Sequence, residues 1–405
     1  MNDPLPMVQV SLEGLLSAAE LRSMRAPIEQ ALTFPATAYT SPEFYKAEIE
    51  RIYRRRWIAV CLSFDVPDPG DAVPIWLCGM PIVIVRGQDR VIRAFHNICP
   101  YDGCPMVLEP QRGLNHLVSP YHGWRYSLEG ELRETPYWTG RSATECASPA
   151  TLATALRPVR VAEFMLTVFV CLDPQEPDLG EHVAPILRQF SEYDLEGLAP
   201  GRDASGRAIV SVRRRRTNWK TFCENAALNV LHESFVHALY AASPEVPRVN
   251  QLGTPTFESL VDRRLLALAF DERKFRETYP ETDLKHVGKM AAPTRACFAT
   301  LYPNFYFSLS PATVEISVVL PEGPDGLVER QALLYQLDEA QSPASLASRQ
   351  LMTTLFEDAA AEDARITEAV HSARASPAFS QKFYSPFWDR LHYSLNQLIL
   401  DDLCQ

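Results

Sequence analysis

Three features of the chain predict an α+β fold, a small all-β domain followed by a domain in which long helices pack on an antiparallel sheet. Short β-rich runs fill the stretch from Ala59 to about Asp173, separated by Gly, Pro, Asp and Asn turns. After the Pro-and-acid connector EPDLGEHVAP (176–185), helix and strand signals mix. From SLASRQLM onward the composition turns rich in Ala, Glu and Leu, which favours helix. Helices segregated to one side of an antiparallel sheet bury its apolar face against their own.

The elements follow in order. Residues 42–58, PEFYKAEIERIYRRRWI, place Phe44, Ile49, Ile52 and Tyr53 at helical spacing behind the start signal SPE, which predicts a short docking helix. The β domain, 59–175, is read from IAVCLSF, VPIWLCG, PIVIVRG, VIRAFHN, HLVSPY, WRYSLEGEL and LTVFVCLD. In the third region, 176–405, APILRQFSEY reads as helix, RAIVSVRRR as strand, and NWKTFCENAALNVLHESFVH as mostly helix. Strands follow in RRLLALAFD, in FATLYPNFYFSLSPATVEISVVLPEG and in RQALLYQL, the last two around the turn PEGPDG. No internal repeat and no low-complexity tract interrupts this order.

Composition narrows the partners. The 405 residues carry a formal charge of −11, which argues against nucleic acid because phosphate binding needs a basic stripe. The one basic run, Arg213 to Arg216, reads as a solvated strand end or a rim for an acidic partner. The N-terminal MNDPLPMVQVSLEGLL has early acids and no sustained apolar stretch, so neither a signal peptide nor a membrane anchor is expected. Nine cysteines without paired spacing read as reduced thiols in a cytoplasmic protein.

Two constellations carry chemistry. In the first, His232 and His237 stand five apart, which on a regular helix points them about 140° away from each other. They converge only if the helix ends or bulges between them. A carboxylate would complete a facial triad of the kind that binds Fe(II), and FEDAAAEDARITEAVHS offers Asp358, Glu362 and Asp363. The second constellation is the loop pair CPYDGCP (99–105) and SPYHGW (119–124), with the look of a metal site.

Together these motifs resemble the Rieske-type non-haem iron oxygenases, the ring-hydroxylating oxygenase α-subunits. The resemblance runs from YTSPEFYKAEIERIYRRRWI through AFHNICPYDG and PYHGWRYSLEGEL to the acidic helix. It implies an N-terminal Rieske-like β domain and a helix-grip catalytic domain, with Fe(II) on His232, His237 and Asp363. Asp363 is preferred over Asp358 because Glu368 and His371 follow it where the family shows Glu and Gln. Asn225 matches an asparagine near the iron. Asn229 stands where the family has a carboxylate that bridges a neighbouring subunit's cluster histidine to an iron histidine.

The family's [2Fe–2S] ligand positions fall on Cys99, Tyr101, Ser119 and His122, while Gly103, Pro105, Pro120, Tyr121, Gly123 and Trp124 match its scaffold. One ligand is lost from each iron, and neutral Ser lacks the charge and softness of a thiolate. Cys104 and His116 lie nearby but out of register. The resemblance therefore implies a chain without its own cluster, dependent for electrons on a homologous α-subunit with an intact motif, in a trimer or hexamer, and indirectly on a ferredoxin or reductase. The reaction implied is hydroxylation or oxidative demethylation of a small organic substrate with O2. Two other functions stay open, a non-catalytic partner subunit and a ligand-binding pseudoenzyme. Phe235, Tyr240, Phe305 and Phe307 are candidate pocket residues.

Overall fold

Ser41 opens the expected N-terminal helix in the computed structural model: its hydroxyl accepts from the main-chain N–H groups of Glu43 and Phe44, both at 3.1 Å, with Pro42 in the first turn. The structure describes residues 14–147, 154–226, 228–240, 243, 245–272 and 284–405. The first 13 residues of the N-terminal segment discussed above lie outside them. Contacts divide the described residues into two compact units, one spanning Arg55–Glu176, the other joining residues 14–54 to Pro177–Gln405.

In the first unit, β1 (Ile58–Leu62), β2 (Ala72–Leu77), β3 (Met80–Arg86) and β4 (Ile92–His96) follow the apolar runs of the sequence. They share a six-stranded antiparallel sheet, ordered β1-β9-β8-β4-β3-β2, with β8 (Pro158–Phe164) and β9 (Thr167–Cys171). Strand β8 is an addition to the sequence reading; its PVRVAEF alternation was there to find. A small separate sheet of β5 (Leu117–Val118), β6 (Arg125–Tyr126) and β7 (Leu132–Glu134) supports the second metal-like loop.

In the second unit, α1 (Ala18–Met24), α2 (Thr37–Thr40) and α3 (Pro42–Glu48) come first, and α3 runs on into a π-helical turn, Ile49–Tyr53. Phe44, Ile49, Ile52 and Tyr53 are all buried, as their spacing requires. After α4 (Leu179–Gln189), β10 (Leu198–Pro200) and β11 (Ser211–Arg215) both pair with β17 (Leu327–Gln336). The eight-stranded antiparallel sheet continues through β16 (Val314–Pro321), β15 (Phe305–Leu309), β14 (Arg295–Leu301), β13 (Leu265–Asp271) and β12 (Phe257–Asp262). Among the described residues five further helices belong to this unit: α5 (Trp219–Ala226), α6 (Glu233–Val236), α7 (Leu337–Gln341), the 29-residue α8 (Leu346–Arg374) and α9 (Arg390–Leu403).

The basic run departs from expectation. Because side chains alternate along a strand, Arg213 and Arg215 turn inward while Arg214 and Arg216 stay exposed. Arg215 is buried against Glu329, its Nε donating at 2.7 Å. Half of the run is thus internal structure, not a rim.

Candidate metal centre and the remodelled loops

The helix of NWKTFCENAALNVLHESFVH stops at Ala226, and only one turn, Glu233–Val236, re-forms after His232. His232 keeps helical dihedrals (φ −64°, ψ −25°), whereas His237 is extended (φ −93°, ψ 115°). That break is what brings the two imidazoles together, with ring centroids 5.2 Å apart. Asp363 meets them from the middle of α8. Its Oδ1 lies 3.7 Å from His232 Nε2 and 3.5 Å from His237 Nε2.

Hydrogen bonding fixes both tautomers. His232 Nδ1 faces the main-chain oxygen of Asn229 at 2.5 Å; a carbonyl only accepts, so Nδ1 carries the proton. His237 Nδ1 donates to Glu362 Oε2 at 3.0 Å, and the Ala238 N–H donates to the same carboxylate. Each Nε2 is therefore left with a lone pair toward Asp363, as a metal-binding imidazole needs. The buried Asp363 Oδ1 takes no hydrogen bond from any described residue. One ligand atom from each of the three residues lies within 4.8 Å of the others. A metal about 2.1 Å from each ligand wants mutual spacings of about 3–3.5 Å; the two Nε2–Oδ1 spacings of 3.5 and 3.7 Å are close to that, and two imidazoles with a carboxylate are a donor set that suits Fe(II). Among the three carboxylates considered from sequence, Glu362 orients His237, and Asp358 is exposed.

Asn225 borders the adjoining cavity, which has a volume of about 500 Å³. Asn229 meets His232 through its main-chain oxygen, and its side chain is hydrogen-bonded elsewhere. Its amide donates to Asp389 at 2.7 Å and its oxygen accepts from the Leu231 N–H at 2.8 Å. Of the four candidate pocket aromatics, Tyr240 and Phe307 border the cavity. Phe305 is fully buried core instead, and Phe235, on the one-turn helix, is 82% exposed.

The loop pair keeps its scaffold. The Cys99 N–H donates to Cys104 O and the Gly103 N–H to Cys99 O, both at 2.9 Å; the Ser119 N–H donates to Trp124 O and the Gly123 N–H to Ser119 O in the same pattern. Gly103 (φ +74°) and Gly123 (φ +73°) close the two turns in a conformation that favours glycine. Between the loops sits a residue the sequence reading passed over, Asp102, its side chain 2% exposed. The Ser119 hydroxyl donates to Asp102 Oδ2 at 2.7 Å, His122 Nδ1 meets the same oxygen at 3.1 Å, and the Cys104 N–H donates to Oδ1 at 3.0 Å. Burial pushes the Asp102 carboxyl up, but the hydrogen bonds from Ser119, Cys104, Cys99 and His122 outweigh it and hold it below the ordinary range. Tyr101 stacks on Trp124 (4.8 Å between centroids, 10° between planes) with Trp138 edge-on, and Cys99 Sγ lies 3.6 Å from the Tyr126 hydroxyl. His116 is exposed.

Two family models match the chain, the Rieske [2Fe-2S] domain at residues 56–148 and the ring hydroxylating alpha subunit (catalytic domain) at 202–401. The chain belongs to the Rieske-type ring-hydroxylating oxygenase α-subunit family. Its fold is the family's, a β Rieske domain and a helix-grip-like catalytic domain with a large antiparallel sheet and a long helix. Among curated relatives, the carnitine monooxygenase oxygenase subunit of Escherichia coli (strain K12) is 29% identical over 227 residues, 54% of this chain and 56% of that protein. That match spans little more than half the length of either chain. The chloroplastic choline monooxygenase of Beta vulgaris is 26% identical over 373 residues, 91% of this chain and 76% of its own. The solved quaternary ammonium Rieske monooxygenase CntA in complex with L-carnitine shares the fold (TM-score 0.69, 18% identity, 92% of this chain and 96% of that one). So does naphthalene 1,2-dioxygenase from Rhodococcus sp. (TM-score 0.70, 17% identity, 95% and 96%).

Proposed function

We propose that this α-subunit hydroxylates or oxidatively demethylates a small organic substrate at one iron held by His232, His237 and Asp363, with electrons from the cluster of a homologous subunit. The observation that carries this reading is the contrast between its two sites. In the domain taken as catalytic, residues 176–405, two correctly protonated imidazoles and an orphaned carboxylate oxygen converge beside a cavity. In the Rieske-like domain, residues 59–175, two of four ligand positions hold Tyr101 and Ser119, and Asp102 ties Ser119 and His122 together.

Bound at the triad, iron supplies activation of dioxygen, which consumes two electrons from outside the site. The chain's own residues do the positioning. Asn229 O and Glu362 hold the two imidazoles in the ligating tautomer, and Phe222, Phe270 and Phe307 give the cavity apolar surface beside its polar groups. Residues now at the loop positions do not fit a [2Fe–2S] cluster: a phenol and a hydroxyl replace an imidazole and a thiolate. The match to the Rieske domain model at residues 56–148 is a match of the domain and does not report on the four ligand positions.

The proposed partners are a cluster-bearing α-subunit in a trimer or hexamer and, through it, a ferredoxin or reductase. Relatives are named for carnitine and choline, so a small trimethylammonium compound is the first substrate to try. Among the described residues no helix is long and apolar enough to cross a membrane. All nine cysteines are unpaired, in keeping with a proposed cytoplasmic site of action. A second reading, a non-catalytic partner subunit, draws on Asn229, whose neutral amide is spent on Asp389 and carries no bridging charge.

Reconstitution separates the two. The chain alone should show no turnover, and mixing it with a homologue carrying complete cluster loops should give activity above that of the homologue alone. A mixture in which a His232→Ala chain works as well as the native one would leave only the partner-subunit reading.

A further inference from the structure

Antiparallel register places Ser308 opposite Glu315, Ser317 opposite Gln331, and Arg213 opposite Glu329. Directly opposed residues share a face of a sheet, so these six make a polar stripe across four adjacent strands. Five of them border the same cavity as the iron triad, Arg213 being the exception. A sheet face turned toward a cavity and a long helix is expected to be apolar, and two carboxylates there call for a reason.

Glu329 has one. It is held by the buried Arg215 guanidinium, whose Nε donates at 2.7 Å, and by the Ser317 hydroxyl at 3.2 Å. Glu233, another cavity carboxylate, is paired with the buried Arg248 at 2.8 and 2.9 Å. Glu315 has no such partner: among the described residues no Lys, Arg or His forms an ion pair with it. It accepts two hydrogen bonds from neutral groups, the Ser308 hydroxyl at 2.8 Å and the Gln331 amide. The Gln331 oxygen accepts from Arg213 at 2.7 Å, so only the Gln331 NH2 can face Glu315. Both carboxylate oxygens are thus held as acceptors in the cavity wall. Burial raises the Glu315 carboxyl above its ordinary range despite these hydrogen bonds, and a cation alongside would lower it again.

We infer that Glu315 anchors the positive nitrogen of an alkylammonium substrate and makes the cavity select cations over neutral molecules of the same shape. The site lends itself to this: Tyr306 and Phe222, at 5.1 Å and 83° to each other, give the same wall aromatic surface that a cation tolerates and a hydrated anion does not. Arg213 acts on Glu315 only from behind Gln331, so a buried carboxylate without a direct ion pair is left to act on whatever enters the cavity. The inference rests on the reading of this cavity as the substrate site.

The test compares choline with its neutral isostere 3,3-dimethylbutan-1-ol by isothermal titration calorimetry on the full iron-loaded chain. Native protein should prefer choline by about tenfold or more. Glu315→Gln should bind both compounds equally, keeping the native affinity for the alcohol, and Glu315→Asp should restore part of the preference. Equal native affinities for both compounds would overturn the inference while leaving the cavity as the substrate site. Preference for choline retained in Glu315→Gln would assign cation selection to another residue and overturn it too. Failure of the native protein to bind either compound would overturn the inference together with the reading it rests on.

Discussion

Replacing Asp363 with alanine should leave the chain unable to retain iron and lower the activity of the reconstituted enzyme by more than about 100-fold, beyond the 10–100-fold typical of lost outer partners. Glu362→Ala tests the outer partner itself. It leaves all three ligands in place but frees His237 Nδ1, so the drop should stay within that 10–100-fold range and be accompanied by weaker iron retention. Iron content by metal analysis and turnover in the mixture measure both. Equal, small effects from the two variants would mean that the triad holds no working metal.

Glu224→Gln should destabilise the second unit by about 3–5 kcal/mol, the usual cost of stripping one partner from a buried ion pair. Glu224 accepts from the Tyr39 hydroxyl at 2.6 Å and from Arg374 at 2.5 Å, with His392 at 3.3 Å. Four helices, α2, α5, α8 and α9, meet at this carboxylate. It sits one residue before Asn225, which borders the cavity, and α8 also carries Asp363, so the network ties the helix that precedes the two histidines to the helix that carries the third candidate ligand. Burial raises the carboxyl, but the charges of Arg374 and His392 dominate and depress it well below its ordinary value. A depressed carboxylate contributes stability that is fully present above its unfolded value of about 4.3 and is lost as pH falls below it. Denaturant titrations at pH 7 and below pH 4 should therefore differ more for the native chain than for Glu224→Gln.

The fold was legible because its signals are local. Phe44, Ile49, Ile52 and Tyr53 announce a helix by spacing, and runs such as PIVIVRG announce strands by composition. The candidate triad was legible through motif and family resemblance, and the spacing of His232 and His237 already required the helix to end or bulge between them, but not how it does so. No local signal in HESFVH says that the helix shrinks to one turn and leaves His237 extended. Residues that work by long-range pairing were missed. Asp102 looks like a turn residue until the two loops close around it. Glu315 and Glu329 stand at alternate positions of VEISVVLP and LVERQALLYQ, a pattern that reads as one solvent-facing side until α8 covers it. Arg213 to Arg216 misled for the same reason, since a strand sends alternate members of a charged run in opposite directions. Buried charge is written in pairs far apart in sequence, such as Arg215 with Glu329 and Glu224 with Arg374.

The central claim, an iron site without a cluster of its own, meets its most direct test in iron and inorganic sulfide analysis of the chain produced alone and kept anaerobic. The account predicts up to one iron per chain, no inorganic sulfide, and no EPR signal of a reduced [2Fe–2S] cluster. Sulfide in step with extra iron, together with that reduced-cluster signal, would contradict it.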